Sequence, residues 1–90
     1  MNLRHLEYLL ALADTGSFSR AAEKSHVTQS ALSRSIQALE TELGAPLIDR
    51  VGKRNELTPF GKAVAARARR MVLDAAEMRR SAALLQQGTL

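Results

Sequence analysis

A mostly helical fold with one short β-hairpin is predicted from three features of this ninety-residue sequence. Leucine and alanine are abundant while aromatic residues make up only 3% of the chain, which favours helices over a large sheet. Apolar residues recur at helical spacing in stretches that end at glycines. Before the last helical stretch, a segment of strand formers surrounds a glycine and two cations, as in a hairpin. The length allows one small domain with a single modest core.

The first two helices are predicted from apolar spacing and small residues. Apolar side chains at positions 3, 6, 9, 10 and 13 indicate a helix over 3–13, and Gly16 is its expected stop. A second helix runs through Ala21 and Ala22 to about Ser25. Its small side chains would let two helices cross closely.

The third helix is predicted over 28–43, with Thr28 as its N-cap and Gly44 as its stop. One face is apolar, formed by Leu32, Ile36, Leu39 and Leu43. The opposite face carries amide, hydroxyl and guanidinium groups from Gln29, Ser30, Ser33, Arg34 and Gln37. No acid occurs in this helix before Glu40. These groups are the ones that read base edges in DNA, although small polar residues could also simply cover a surface.

The second and third helices, joined by a short turn at His26-Val27, form a predicted helix-turn-helix over about 18–37. A hairpin follows, with strands at 46–50 and 56–58 and a turn at 51–55 that carries Lys53 and Arg54. This is the wing of a winged helix-turn-helix, whose basic tip would reach phosphates or the minor groove. A solvated basic loop is the alternative interpretation of the tip.

A long last helix is predicted from the cap Thr58 and from Pro59 at the first helical position, through about Gln87. Three heptads along it predict pairing with a second copy, through Val64, Ala68, Met71, Ala75, Met78, Ala82 and Leu85. Packing on the chain's own body is the alternative for 60–68. The arginines off this seam are expected on a solvated face, namely Arg67, Arg69, Arg70, Arg79 and Arg80.

Charge and composition limit the classes of function that this chain is expected to have. The net charge of +4 suggests a polyanionic partner, although the whole surplus lies in residues 59–90. The chain has no cysteine, only two histidines in separate segments, and no glycine-rich phosphate loop, so no metal, cofactor or catalytic role is expected. No signal peptide or membrane span is recognisable, which makes the cytoplasm the expected location.

At the level of motifs, the sequence resembles the N-terminal DNA-binding domain of LysR-type transcriptional regulators over essentially its whole length. The resemblance is carried by Leu3-Arg4-His5-Leu6, by 16–22, by Val27-Thr28-Gln29-Ser30-Ala31-Leu32-Ser33-Arg34, by Ile36, Leu39-Glu40 and Leu43-Gly44, and by Leu57-Thr58 before Gly61. It implies a bacterial regulator that binds an inverted-repeat operator as a dimer paired through the linker helix. It also implies DNA contacts at Gln29, Ser30, Ser33, Arg34 and Lys53.

On these grounds residues 1–58 are assigned to a winged helix-turn-helix, 59–87 to a linker and dimerisation helix, and 88–90 to a tail. In the family such a tail leads toward an effector-binding domain, so a small-molecule effector is expected only if that domain exists. The recognition helix 28–43 would enter the major groove and the wing 51–55 would lie on the backbone or minor groove. The proposed DNA-binding residues are Thr28, Gln29, Ser30, Ser33, Arg34, Gln37, Lys53 and Arg54. The alternative function is a helical dimerisation module that binds no DNA.

Overall fold

The computed structural model of the chain describes residues 1–52 and 55–88. In chain order its elements are α1 Leu3–Thr15, α2 Phe18–Lys24, α3 Gln29–Leu43, β1 Ile48–Asp49, β2 Glu56–Leu57 and α4 Pro59–Gln86. The predicted fold class, a mostly helical winged helix-turn-helix followed by a long helix, is confirmed.

The first helix is the centre of the domain, because α2, α3 and α4 all pack against it. Its N-cap is Asn2, whose side-chain oxygen accepts a hydrogen bond of 2.9 Å from the His5 amide. It ends at Gly16, which has a φ of +69° and suits the left-handed turn. The helix is two residues longer than predicted, since it continues to Thr15.

The turn between α2 and α3 holds a residue in an unusual backbone conformation. His26 has a φ of +57°, in the left-handed region where glycine is the usual residue. Its amide bonds to the Glu23 carbonyl and the Val27 amide bonds to the Ala22 carbonyl, which is the Schellman end of a helix. Val27 is partly buried against the core. The turn therefore forms without glycine because its hydrogen bonds and its apolar contact hold it in place.

The apolar face of α3 is buried as predicted for three of its four leucine and isoleucine residues. Leu32, Ile36 and Leu39 are completely buried. Leu43, the last residue of the helix, remains 36% exposed, which corrects the prediction. The chain reverses at Gly44, and Leu47 and Ile48 supply the buried apolar side chains that follow.

The hairpin is shorter than the sequence predicted. Its two strands are antiparallel, with Ile48 opposite Leu57 and Asp49 opposite Glu56. Pro46 has no amide to donate, and the Leu47 amide donates to a side chain of α3 instead of to a strand. Strand pairing therefore starts only at Ile48.

The last helix is capped by Thr58, whose hydroxyl accepts a hydrogen bond of 2.9 Å from the Gly61 amide. It buries Gly61, Ala65 and Ala68 against the body of the domain, and Val72 is partly buried there. Beyond that point the helix extends into solvent, so the longest dimension of the molecule is 53 Å against 24 and 19 Å for the others. None of the described helices has the length and apolar character needed to cross a membrane.

Candidate nucleic-acid interface

The polar face of α3 is exposed along the length that the sequence predicted. Gln29, Ser30, Arg34 and Gln37 are exposed, and Ser33 is half-buried at the edge of the face. The buried side chains on the opposite side hold the helix against α1 and α2. The structure thus brings the predicted reading residues together on one rigid, accessible surface.

The N-terminal end of this face suits a negatively charged partner. Thr28 caps the helix, with its hydroxyl accepting a hydrogen bond of 3.0 Å from the Ala31 amide. No acidic residue lies in the first turn. The partial positive charge of a helix N-terminus is therefore not offset by a carboxylate from this turn.

The only Asp or Glu residues of α3 lie in its C-terminal half, and one of them is committed to the protein itself. The Glu40 side chain is only 13% exposed. Its Oε2 accepts hydrogen bonds from the amides of Leu47 at 2.7 Å and Ile48 at 3.3 Å. The two terminal nitrogens of Arg50 each lie 3.1 Å from this carboxylate, one from each oxygen. In the sequence, Glu40 is the first acid of the helix and part of the Leu39-Glu40 motif, and neither feature predicts these contacts.

These contacts set the ionisation of Glu40. Burial alone raises the pKa of its carboxyl group, but the hydrogen bond from Arg50, the two backbone amides and the Arg50 charge together outweigh burial. The net result is a pKa below the ordinary value for glutamate. The group is therefore ionised at neutral pH and faces β1 rather than an approaching phosphate.

The first strand of the hairpin is linked to the C-terminal half of α3 through the hydrogen bond from the Ile48 amide to Glu40. Lys53 and Arg54 lie outside the described residues, so their assignment remains a prediction. At the start of the tip, the Asp49 side chain accepts a hydrogen bond of 3.0 Å from the Val51 amide. At its end, Asn55 has a φ of +48°, a conformation that asparagine tolerates better than most residues.

The predicted dimerisation seam of α4 divides into two parts. Ala68 is only 1% exposed and belongs to the chain's own core, so its assignment to the seam was wrong. Val64 is also partly buried there. The physical reason is that Gly61, which has no side chain, and Ala65, which has a small one, let this part of the helix lie close to the domain. Farther along, Met71 is 46%, Met78 69% and Leu85 64% exposed, and Ala82 is exposed while Ala75 is half-buried.

One of the arginines predicted on a solvated face has a defined partner. Arg69 Nη2 donates to Asp14 Oδ1 at 2.6 Å and so joins α4 to the end of α1. Lys24 Nζ lies 4.0 Å from the other oxygen of the same carboxylate. Arg67, Arg70, Arg79 and Arg80 are exposed, in agreement with the prediction.

Within residues 1–52 and 55–88, no three histidine, aspartate, glutamate or cysteine side chains come together as metal ligands would. In the described part of the chain, the candidate site is the exposed polar face of α3.

Residues 3–62 match the family model described as bacterial regulatory helix-turn-helix protein, lysR family. The chain belongs to the lysR family. It is 46% identical over 79 residues to the HTH-type transcriptional regulator EstR of Acinetobacter baylyi, a match that covers 88% of the chain and 26% of EstR. The chain thus spans about a quarter of the length of this curated relative.

Two solved structures are similar to the whole domain. The crystal structure of the BenM DNA-binding domain with catB site 1 DNA has a TM-score of 0.95 and 34% identity, covering 100% of this chain and 97% of that one. Vibrio fischeri DarR in complex with DNA has a TM-score of 0.90 and 41% identity, covering 97% of this chain and 30% of DarR. This chain is a LysR-type helix-turn-helix DNA-binding domain, which favours the DNA-binding interpretation over a dimerisation module that binds no DNA.

Proposed function

We propose that the chain binds duplex DNA in a sequence-specific manner as a dimer and recognises an inverted repeat. The observation that carries this proposal is the exposed, acid-free N-terminal part of the α3 face, displayed by a helix whose other side is fixed in the core. In the proposed complex α3 enters the major groove and the wing lies beside it.

The length of the reading face along α3 matches the length of a few base pairs of DNA. Ser30 and Gln37 are seven residues apart, which is about 10 Å along a helix at 1.5 Å per residue. That distance corresponds to about three base-pair steps of 3.4 Å. Arg34 is suited to guanine, glutamine to adenine and serine to either base or a phosphate. Thr28, Gln29, Ser30, Ser33, Arg34 and Gln37 are the proposed contacts.

The wing is proposed to supply affinity rather than sequence preference. Lys53 and Arg54 follow Val51 and Gly52 in sequence, within the predicted tip 51–55. Cations at such a tip neutralise phosphates and release counterions, an effect that depends on salt and not on base sequence. The salt dependence of binding therefore distinguishes the proposed role of the wing from that of the reading face.

Dimer formation is proposed through the exposed part of α4, from Met71 to Leu85. Apolar side chains remain exposed there after the first half of the helix has packed on the domain. Pairing with a second copy would cover them and would place two α3 helices on one side of the DNA. An inverted repeat is the sequence that such a two-fold dimer recognises.

The proposal is tested by selecting bound sequences from random duplex DNA with the ninety-residue chain. An inverted repeat with a preferred spacing is the expected product. Binding to the selected duplex should weaken steeply as salt rises. Enrichment of no sequence, or binding that does not change with salt, would contradict the proposal.

A further inference from the structure

Residues 46–48, called the joint below, contact both the helix proposed to read DNA and the helix proposed to dimerise. The direct packing between α3 and α4 is slight in the described part of the chain, and both pack on α1 instead. The short segment 46–48 is held by both helices at once. The orientation of α4 relative to α3 is therefore set by two features, namely their shared packing on α1 and this segment.

From the side of α3, the joint is held by Glu40. Its carboxylate accepts hydrogen bonds from the amides of Leu47 and Ile48. Both of its oxygens are also paired with Arg50. Charge-assisted hydrogen bonds of this kind are about twice as strong as neutral ones, and paired contacts fix direction as well as distance. The segment therefore cannot move away from α3 without uncovering a mostly buried carboxylate.

From the side of α4, the same segment is held by Thr58 and Gly61. The Thr58 amide donates to the Leu47 carbonyl at 2.9 Å, and its hydroxyl donates to the Pro46 carbonyl at 2.8 Å. A Cβ at Gly61 would lie 2.1 Å from the Leu47 oxygen, so only glycine allows α4 to approach this closely. The backbone of Leu47 thus donates to one helix and accepts from the start of the other.

The length of α4 makes this joint important for spacing. Met78, in the exposed part of α4, lies 17 residues beyond Gly61, about 26 Å along the helix at 1.5 Å per residue. A rotation of about 10° at the joint would displace that point by about 4.5 Å, which exceeds the 3.4 Å of one base-pair step. A loose joint would therefore let the two reading helices of a dimer adopt more than one separation.

We infer that Glu40 is a positioning residue that fixes the angle between α3 and α4 through the Leu47 backbone, and so sets the half-site spacing that the dimer accepts. This inference rests on the proposed function. Glu40 acts without touching DNA. Its effect falls on the choice of spacing and not on the recognition of a single half-site.

The experiment compares Glu40→Ala with Glu42→Ala, a matched removal of a carboxylate from the same helix. Glu42 contacts the N-terminal amine of Met1, whereas the hydrogen bonds from the Leu47 and Ile48 amides go to Glu40. Each chain is titrated with duplexes that carry the selected inverted repeat, the same repeat with one base pair added or removed between half-sites, and a single half-site. Amide exchange at Leu47 and Ile48 is followed by NMR without DNA.

Glu40→Ala is expected to lower the affinity ratio of the preferred to the altered spacing by roughly two- to thirtyfold, the range seen when coupling residues are removed. Single half-site affinity and the Glu42→Ala ratio should stay close to those of the unsubstituted chain. The Leu47 and Ile48 amides should exchange faster in Glu40→Ala only. Glu40→Gln, which keeps an acceptor for the amides but loses the paired contact with Arg50, should give an intermediate ratio and serves if Glu40→Ala fails to fold.

An unchanged ratio, or unchanged exchange at both amides, would overturn the inference. A loss of affinity equal for every duplex would also overturn it, because it would mean that Glu40 serves stability alone. If the unsubstituted chain prefers no sequence, the proposed function fails and the consequence for spacing fails with it. In that case the joint itself is judged by the amide exchange alone.

Discussion

Replacing Gly61 with alanine sets two physical effects against each other. Alanine is favoured over glycine in a helix by about 1 kcal/mol, so propensity alone predicts a more stable protein. The added Cβ would lie 2.1 Å from the Leu47 oxygen, and the backbone there is held by Glu40 and Thr58. Overpacking of this kind costs about 1–3 kcal/mol, and loss of the bond from the Thr58 amide adds about 1 kcal/mol. We expect Gly61→Ala to lower the free energy of unfolding by about 1–3 kcal/mol.

The measurement is urea unfolding followed by circular dichroism at a fixed protein concentration, since pairing of chains would make stability depend on concentration. Gly52→Ala is the matched control, because nothing lies within 4 Å of a Cβ at Gly52. That variant should be close to the unsubstituted chain. A Gly61→Ala chain that is as stable as the parent, or more stable, would refute the close approach of α4 to the Leu47 carbonyl.

Three further predictions follow from burial and ionisation. Leu32→Ala should lower the free energy of unfolding by about 2–5 kcal/mol, because the side chain is completely buried. Leu43→Ala, at a site 36% exposed, should lower it clearly less in the same urea titration. Equal losses would contradict the assigned core. Because the pKa of Glu40 is lowered in the folded state, its stabilising effect is full above its unfolded pKa and is lost as pH falls through the folded pKa. The stability advantage of the parent over Glu40→Gln should therefore shrink on acidification, and a growing advantage would have the wrong sign. Met78→Asp should shift the chain toward monomer in sedimentation equilibrium, whereas Leu73→Asp, 62% exposed but off the predicted seam, should shift it less; equal shifts would argue against the seam.

The features that sequence predicted well are those set by neighbours along the chain. Thr28 and Thr58 cap helices, and Gly16 and Gly44 end them, because capping depends on hydrogen bonds within one turn. The buried stripe of α3 followed from its period for the same reason. The exposure of the reading face came with it, since a helix that buries one side displays the other.

The features that sequence did not predict join distant residues. Glu40 pairs with Arg50 ten positions on, and Asp14 pairs with Arg69 fifty-five positions on, so no local pattern marks either pair. Ala68 was misassigned for a different reason. An Ala-rich heptad looks the same whether it faces a second copy or the chain's own core, and only the position of the domain beside α4 decides between them.

The most direct test of the account is the base preference of the Arg34→Ala chain, measured over all single-base changes in the selected repeat. Arg80→Ala, which removes another exposed arginine from the far end of α4, is the matched control. Arg34→Ala is expected to cost about 1–3 kcal/mol and to lose preference at one position in each half-site, whereas Lys53→Ala should weaken all sequences alike and lower the salt slope by about 1. If Arg34→Ala kept its preference at every position, or if Lys53→Ala were the change that altered base preference, α3 would not be the element that reads the sequence.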